Sequence, residues 1–232
     1  MIRAGRVSLN GEIRRDPETP VSELYNQIAI DGKAIQPQPR IYWMMNKPRG
    51  VLTTASDEKG RRTVYRVLNN GEDSRSTLED KAEPWVAPVG RLDKASEGLL
   101  LLTNDSEWAA LVTAPETHLD KTYHVHVGTV ADAEFIRAIV HGVKTKEGEV
   151  LRAKRARLLR AGEKNCWLEI ILDEGKNRQI RRMIEAMEAD VLRLIRVAVG
   201  PLQLGDLGKG EFRSLTVDEK QMMDEALRER IS

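Results

Sequence analysis

Asp93 is the side chain that its neighbours best equip for chemistry. It lies in Gly90-Arg91-Leu92-Asp93-Lys94-Ala95-Ser96-Glu97-Gly98, directly ahead of Leu99-Leu100-Leu101-Leu102-Thr103-Asn104-Asp105. Arg91 and Lys94 flank the carboxylate, and glycines close both ends of the segment. Nearby cations keep an aspartate ionised where water is excluded, and a loop braced by a rigid element is where chemistry tends to sit. The leucine run bounded by turn formers predicts a buried strand as that brace.

Three arginines form a second cluster. In Asp173-Glu174-Gly175-Lys176-Asn177-Arg178-Gln179-Ile180-Arg181-Arg182-Met183, and on to Met187, Ile180, Met183, Ile184 and Met187 recur at i, i+3, i+4 and i+7. That spacing predicts a helix over 177–187 with one apolar stripe facing the core. Arg178, Arg181 and Arg182 occupy another face, where only Glu185 is near. Pairing within the helix gains them little. A polyanion accounts for them better than a merely solvated face does, because guanidinium grips phosphate bidentately.

The elements that must hold these clusters follow from periodicity. Residues 41–46 read as a strand closed by the turn Lys47-Pro48-Arg49-Gly50. In 122–127, Tyr123, Val125 and Val127 alternate with His124 and His126, a half-buried strand. On it Tyr123 reads equally as core packing or as an active ring, and Lys121 as a phosphate ligand or an exposed lysine. His124-x-His126 reads as a surface pair, since no third metal ligand stands nearby. A helix is predicted over 131–142, strands over 167–172 and 191–199, and a turn in the glycine-rich 205–210. With no regular βαβ rhythm, the fold class is α+β with a largely antiparallel sheet and flanking helices.

Taken in order, Asn46-Lys47-Pro48-Arg49-Gly50, the 90–105 run, Lys121-Thr122-Tyr123 and the 173–183 run resemble the RsuA-type pseudouridine synthases, which isomerise particular uridines in ribosomal RNA. The resemblance extends over residues 40–217. It implies a central mixed sheet with the active site in a cleft along it. It implies that Asp93 is the catalytic aspartate and that Arg181 pairs with it. Tyr123 would be the active-site tyrosine, stacking on the extruded uracil while its hydroxyl reaches the sugar or acts as a base. Lys47, Arg91, Lys94 and Lys121 are expected RNA ligands, and Arg178, Gln179 and Arg182 would serve the RNA backbone or the neighbouring fold. Ser96 stands where the family often has threonine and keeps the hydroxyl. The reaction changes no redox state and needs no phosphate donor, so no cofactor and no metal are expected. The alternative is a non-catalytic ribosomal RNA-binding or ribosome-assembly factor on the same fold.

Composition fits such a protein. The chain has 232 residues, 41% hydrophobic and 31% charged, an ordinary globular balance. No apolar run approaches the ~20 residues of a membrane span, and the N-terminus lacks the apolar core of a secretory signal. Cys166 is a lone cysteine, which fits a reducing cytoplasm and excludes an internal disulfide. The net charge of +1 conceals polarity: residues 151–160 hold five basic side chains and no acid, while Glu79, Asp80, Glu83 and the tail carry acid. A monomer is the simplest expectation.

Residues 1–36 read as a partial S4-like RNA-binding module, β-rich, with Asn10-Gly11 and Asp31-Gly32 as hairpin turns. The helices that precede this half in S4 domains are missing, so either the start is assigned late or the module is degenerate. A small hairpin cap reads as well. Pro37-Gln38-Pro39 stiffens the linker, residues 40–217 form the catalytic domain, and 218–232 form a charged, solvated helix. The polar stretch 69–84 is expected as a long loop.

Overall fold

The computed structural model describes residues 1–22, 26–35, 38–54, 57, 59–69 and 85–231. The chain divides into two units, Met1–Pro39 and Arg40–Ser232. In the first, β1 (Val7–Leu9), β2 (Glu12–Arg14), β3 (Ile28–Ile30) and β4 (Lys33–Ala34) form a four-stranded antiparallel sheet in the order β2-β1-β3-β4. Its tight turns hold Asn10 and Gly11, then Asp31 and Gly32, at positive φ. These are the residue types that tolerate the left-handed conformation which a two-residue hairpin requires.

The second unit runs β5 (Tyr42–Lys47), α1 (Val64–Leu68), β6 (Ala87–Val89), β7 (Glu97–Thr103), α2 (Ser106–Thr113), β8 (Lys121–Val127), α3 (Ala133–His141), β9 (Val143–Lys144), β10 (Val150–Leu151), β11 (Arg155–Ala161), β12 (Cys166–Leu172), α4 (Gln179–Ala186), β13 (Val191–Val199), β14 (Leu202–Gln203), β15 (Phe212–Ser214) and α5 (Val217–Ile231). Among the described residues a nine-stranded sheet has the order β11-β12-β8-β13-β7-β5-β15, with β14 on β13 and β6 on β7. Its pairs are antiparallel except β13 with β7. The fold is therefore α+β with a mixed sheet.

That parallel seam depends on Gly98. Gly98 faces Arg196 in register, with φ 99°, and a Cβ there would lie 2.2 Å from the Arg196 carbonyl oxygen. Only glycine lets the two strands approach so closely.

Strand β7 is buried along its whole length, so the leucine run feeds both faces of the sheet. Leu99 and Leu101 pack with Trp108 of α2 and Met223 and Leu227 of α5. Leu100 and Leu102 pack with Met45, Val64 and Val67 on the other face. There Tyr123 touches both this core and the one formed by β8, β12, α3 and α4.

Two features differ from the sequence reading. The acidic tail helix is docked rather than solvated: Met223 and Leu227 are buried, and Trp108 donates through Nε1 to Asp224 at 3.0 Å. Its apolar pair at i, i+4 was outweighed by the charge around it. Helix α2, capped by the Asp105 carboxylate accepting from the Trp108 N–H, is not among the elements that the sequence pattern predicts. The expected loop 69–84 lies outside the described residues except for Asn69.

Candidate active site

The Asp93 loop is built by its frame. Gly90 and Gly98 both take positive φ at its ends, and the Ser96 N–H donates to the Asp93 carbonyl at 2.9 Å. The Thr53 hydroxyl donates to the Leu92 carbonyl at 2.8 Å and accepts from the Leu92 N–H. The Gly50 N–H donates to the Lys94 carbonyl at 2.7 Å. Leu92 is buried beneath the loop while Asp93 stays partly exposed. A carboxylate with one wet side and a fixed backbone is available to a ligand.

Lys47 departs from its expected role. It is fully buried, and its ammonium donates to the carbonyls of Pro48 (3.1 Å), Val51 (2.7 Å) and Ser96 (2.9 Å). Burial lowers its pKa to about 8, with Asp93 and Glu97 pulling the other way. A lysine whose three protons are all spent on carbonyls has none for a phosphate. It ties the 48–51 turn to the end of the Asp93 loop.

Helix α4 brings the arginines in. Arg178 precedes it in the left-handed conformation, φ 47°, a strain of about 1 kcal/mol for a non-glycine residue. Its Nη1 lies 3.8 Å from the Asp93 carboxylate. Arg181 reaches the same loop by another route. It donates through Nη2 to the Ala95 carbonyl at 3.0 Å and through Nη1 to the Val191 carbonyl at 3.4 Å, and its buried Nε lacks a partner among the described residues. Burial, then the charges of Arg178 and Arg49, lower the Arg181 pKa, while Asp93 raises it. The described ion pair of Asp93 is thus with Arg178, and Arg181 acts on it through the field and through the loop backbone.

The remaining expected ligands separate. Arg91 and Lys94 are exposed on the loop itself. Lys121 is half-buried, donates to the Leu119 carbonyl at 3.0 Å, and has its pKa lowered by burial and by Arg196. Gln179 is buried and donates to the Arg152 carbonyl and the Glu174 carboxylate, so it braces the helix start instead of facing solvent. Arg182 bonds Glu149 at 2.7 Å and Glu147 at 3.4 Å. Those glutamates lie far away in sequence, which is why the helix face looked short of acid.

Further residues hold the site through contacts distant in sequence. Glu97 pairs bidentately with Arg193 at 2.8 and 2.9 Å and approaches Lys209 at 3.6 Å. Arg196 is buried and donates to the Leu99 carbonyl at 2.7 Å. Arg49 donates to the Leu192 carbonyl at 3.3 Å. Each contact spans the strand order of the sheet, and no local spacing announces it.

Asp93, Arg178, Arg181 and Arg49 share one electrostatic neighbourhood, and Tyr123 packs against the core that contains Leu92. Such a cluster of cations around one held carboxylate suits an anionic polymer. Comparisons with known proteins agree with that chemistry. The family described as RNA pseudouridylate synthase matches residues 41–186. Ribosomal large subunit pseudouridine synthase B of Bacillus subtilis is 34% identical over 94% of this chain and 85% of its own length. An uncharacterized RNA pseudouridine synthase of Aquifex aeolicus is 33% identical over 98% and 87%. A crystal structure of a pseudouridylate synthase superposes with TM-score 0.66 at 27% identity, over 96% of this chain and 90% of that one. The chain belongs to the RNA pseudouridylate synthase family, whose members are isomerases acting on RNA.

Proposed function

We propose that this chain isomerises a uridine of ribosomal RNA to pseudouridine with Asp93 as the catalytic residue. The observation that carries this reading is a partly exposed carboxylate on a fixed loop, with Arg178 at 3.8 Å and Arg181 anchored to the same loop. The name of the Bacillus subtilis relative supports ribosomal RNA, and large-subunit RNA as the first substrate to test. The target base leaves its stack to enter the cleft. The C1′–N1 bond breaks, the uracil turns, a C1′–C5 bond forms, and the C5 proton is lost as N1 gains one. Asp93 either attacks C1′ or assists the proton transfer. Arg178 and Arg181 hold it in place and oppose the charge that develops on the freed uracil. Tyr123 supports the uracil face. Arg91, Lys94 and Lys121 supply cations for the flanking phosphates, and affinity accordingly falls with salt. The setting is the cytoplasm and the protein acts as a monomer.

Incubating the purified protein with ribosomal RNA and mapping pseudouridines tests this directly. A new pseudouridine at one position is expected. Tight binding without any isomerisation would leave the non-catalytic RNA-binding factor as the correct reading.

A further inference from the structure

The sheet has a second face that the catalytic reading does not use. Along β12, Cys166, Leu168, Ile170 and Leu172 are buried against α3 and α4, while Trp167, Glu169 and Ile171 are only half-buried. On β8, Thr122, His124 and His126 alternate in the same way with the buried Val125 and Val127. None of these half-buried residues belongs to the three cores that the described helices help to fill. They share the side opposite Tyr123.

This face has a defined chemistry. The Trp167 and His126 rings are parallel within 3° with centroids 4.7 Å apart, and His126 Nε2 lies 3.1 Å from Asn165 Oδ1, which fixes the imidazole. Beside them a groove of 430 Å³ is lined by Thr122, His124, Glu169, Ile171, Val197 and Gln203, among others. The edge strand β11 supplies the charge. Arg155 and Arg157 face Ile171 and Glu169 in register. A bulge between Leu158 and Arg160 then sets Arg160, not Leu159, opposite Trp167. One extra residue in a strand re-aims every side chain after it, and here it returns an arginine to the aromatic row. Glu169 takes Arg157 at 2.6 Å and His124 at 3.7 Å. Among the described residues no carboxylate pairs with Arg155 or Arg160, and both are exposed.

We propose that this face is a second RNA platform, holding a single-stranded segment that flanks the target uridine. Arg155 and Arg160 take its phosphates, one base extends the Trp167–His126 stack, and the groove seats a neighbouring base. Cations spaced along an edge with an aromatic stack behind them are the combination that single strands select. The same cations oppose strand addition by a second copy. That the occupant is RNA rests on the pseudouridine synthase reading; the presence of a polyanion site rests on this face alone.

The test measures Kd for a ribosomal RNA fragment by filter binding across a salt series, beside pseudouridine formation by the unaltered protein on that fragment. Replacing Arg155→Gln together with Arg160→Gln should weaken binding about tenfold at 0.1 M salt and flatten the log–log salt slope by about 1.5. Trp167→Ala should weaken it about tenfold, with Trp167→Phe retaining most of the affinity. If Trp167→Ala does not fold, the exposed double variant decides alone. Unchanged affinity and slope in that variant would overturn the platform, as would a dimer in sedimentation that the double variant abolishes. Failure of the unaltered protein to isomerise any uridine, with binding still dependent on Arg155 and Arg160, would sink the enzymatic reading and leave this face standing.

Discussion

Arg181 and Arg182 are neighbours on α4, yet they live in opposite electrostatic worlds. Around Arg181 burial depresses the pKa, and the cations Arg178 and Arg49, which outnumber the one carboxylate, Asp93, add to it. Around Arg182, Glu147 and Glu149 supply more acid than the arginine needs, and Lys176 and Lys146 pair with Glu149 and Glu185. Paired charges on the surface are worth little and serve mainly to orient. Uncompensated charge in a cleft costs stability, and a protein retains it where a ligand supplies the missing counterion. The arginines are alike in sequence but not in surroundings, and the proposed catalytic role rests on Arg181 rather than Arg182.

The largest way to break this contrast is Asp93→Asn. The amide keeps shape and removes the charge, and turnover should fall by about 10³-fold or more while RNA affinity holds within a few-fold. Near-native turnover, measured by single-turnover pseudouridine formation, would remove Asp93 from the chemistry. Next comes Arg181→Met, expected to lower turnover at saturating RNA by about 10²-fold through loss of charge and of the bond to the Ala95 carbonyl. If affinity falls instead and turnover holds, Arg181 is an RNA clamp and Arg178 alone serves Asp93.

Lys47→Met sharpens the structural side. It leaves the Pro48, Val51 and Ser96 carbonyls without their buried donor, at a cost of about 3 kcal/mol in denaturant unfolding. A stability loss under about 1 kcal/mol would show that the loop does not lean on Lys47. The smallest effect belongs to Arg182→Gln, where turnover should stay within about twofold. Its stabilising effect also has a pH signature. The Arg182 hydrogen bond holds Glu149 below its ordinary value of 4.5. The difference between native and variant in thermal melting is therefore full above pH 4.5, and it is lost as the pH falls through the lowered pKa. A difference that grows in acid would contradict the pairing.

Much of the fold was legible because its signals are local. The strands at 42–47, 97–103, 121–127, 166–172 and 191–199 follow from apolar runs or alternation. Helix α3 follows from spacing and the Gly142 stop, and the hairpin turns from Asn-Gly and Asp-Gly. The site was legible in part. The Asp93 loop and the arginine helix stood out by residue type, but the partner within 4 Å of Asp93 is Arg178, whereas Arg181 had been expected. Lys47 and Gln179 read as ligands because sequence shows a polar residue and not its burial.

Residue order alone settled the long apolar strands, helices α3 and α4, the hairpin turns, and which side chains are able to carry charge, since propensity and periodicity act over a few residues. Tertiary structure decided which charges are neutralised. The acid that meets Arg182 comes from a hairpin before it, the carbonyls that meet Lys47 come partly from another strand's approach, and the parallel seam at Gly98 brings the two halves together. Electrostatic energy depends on distance and burial, and neither is written along the chain.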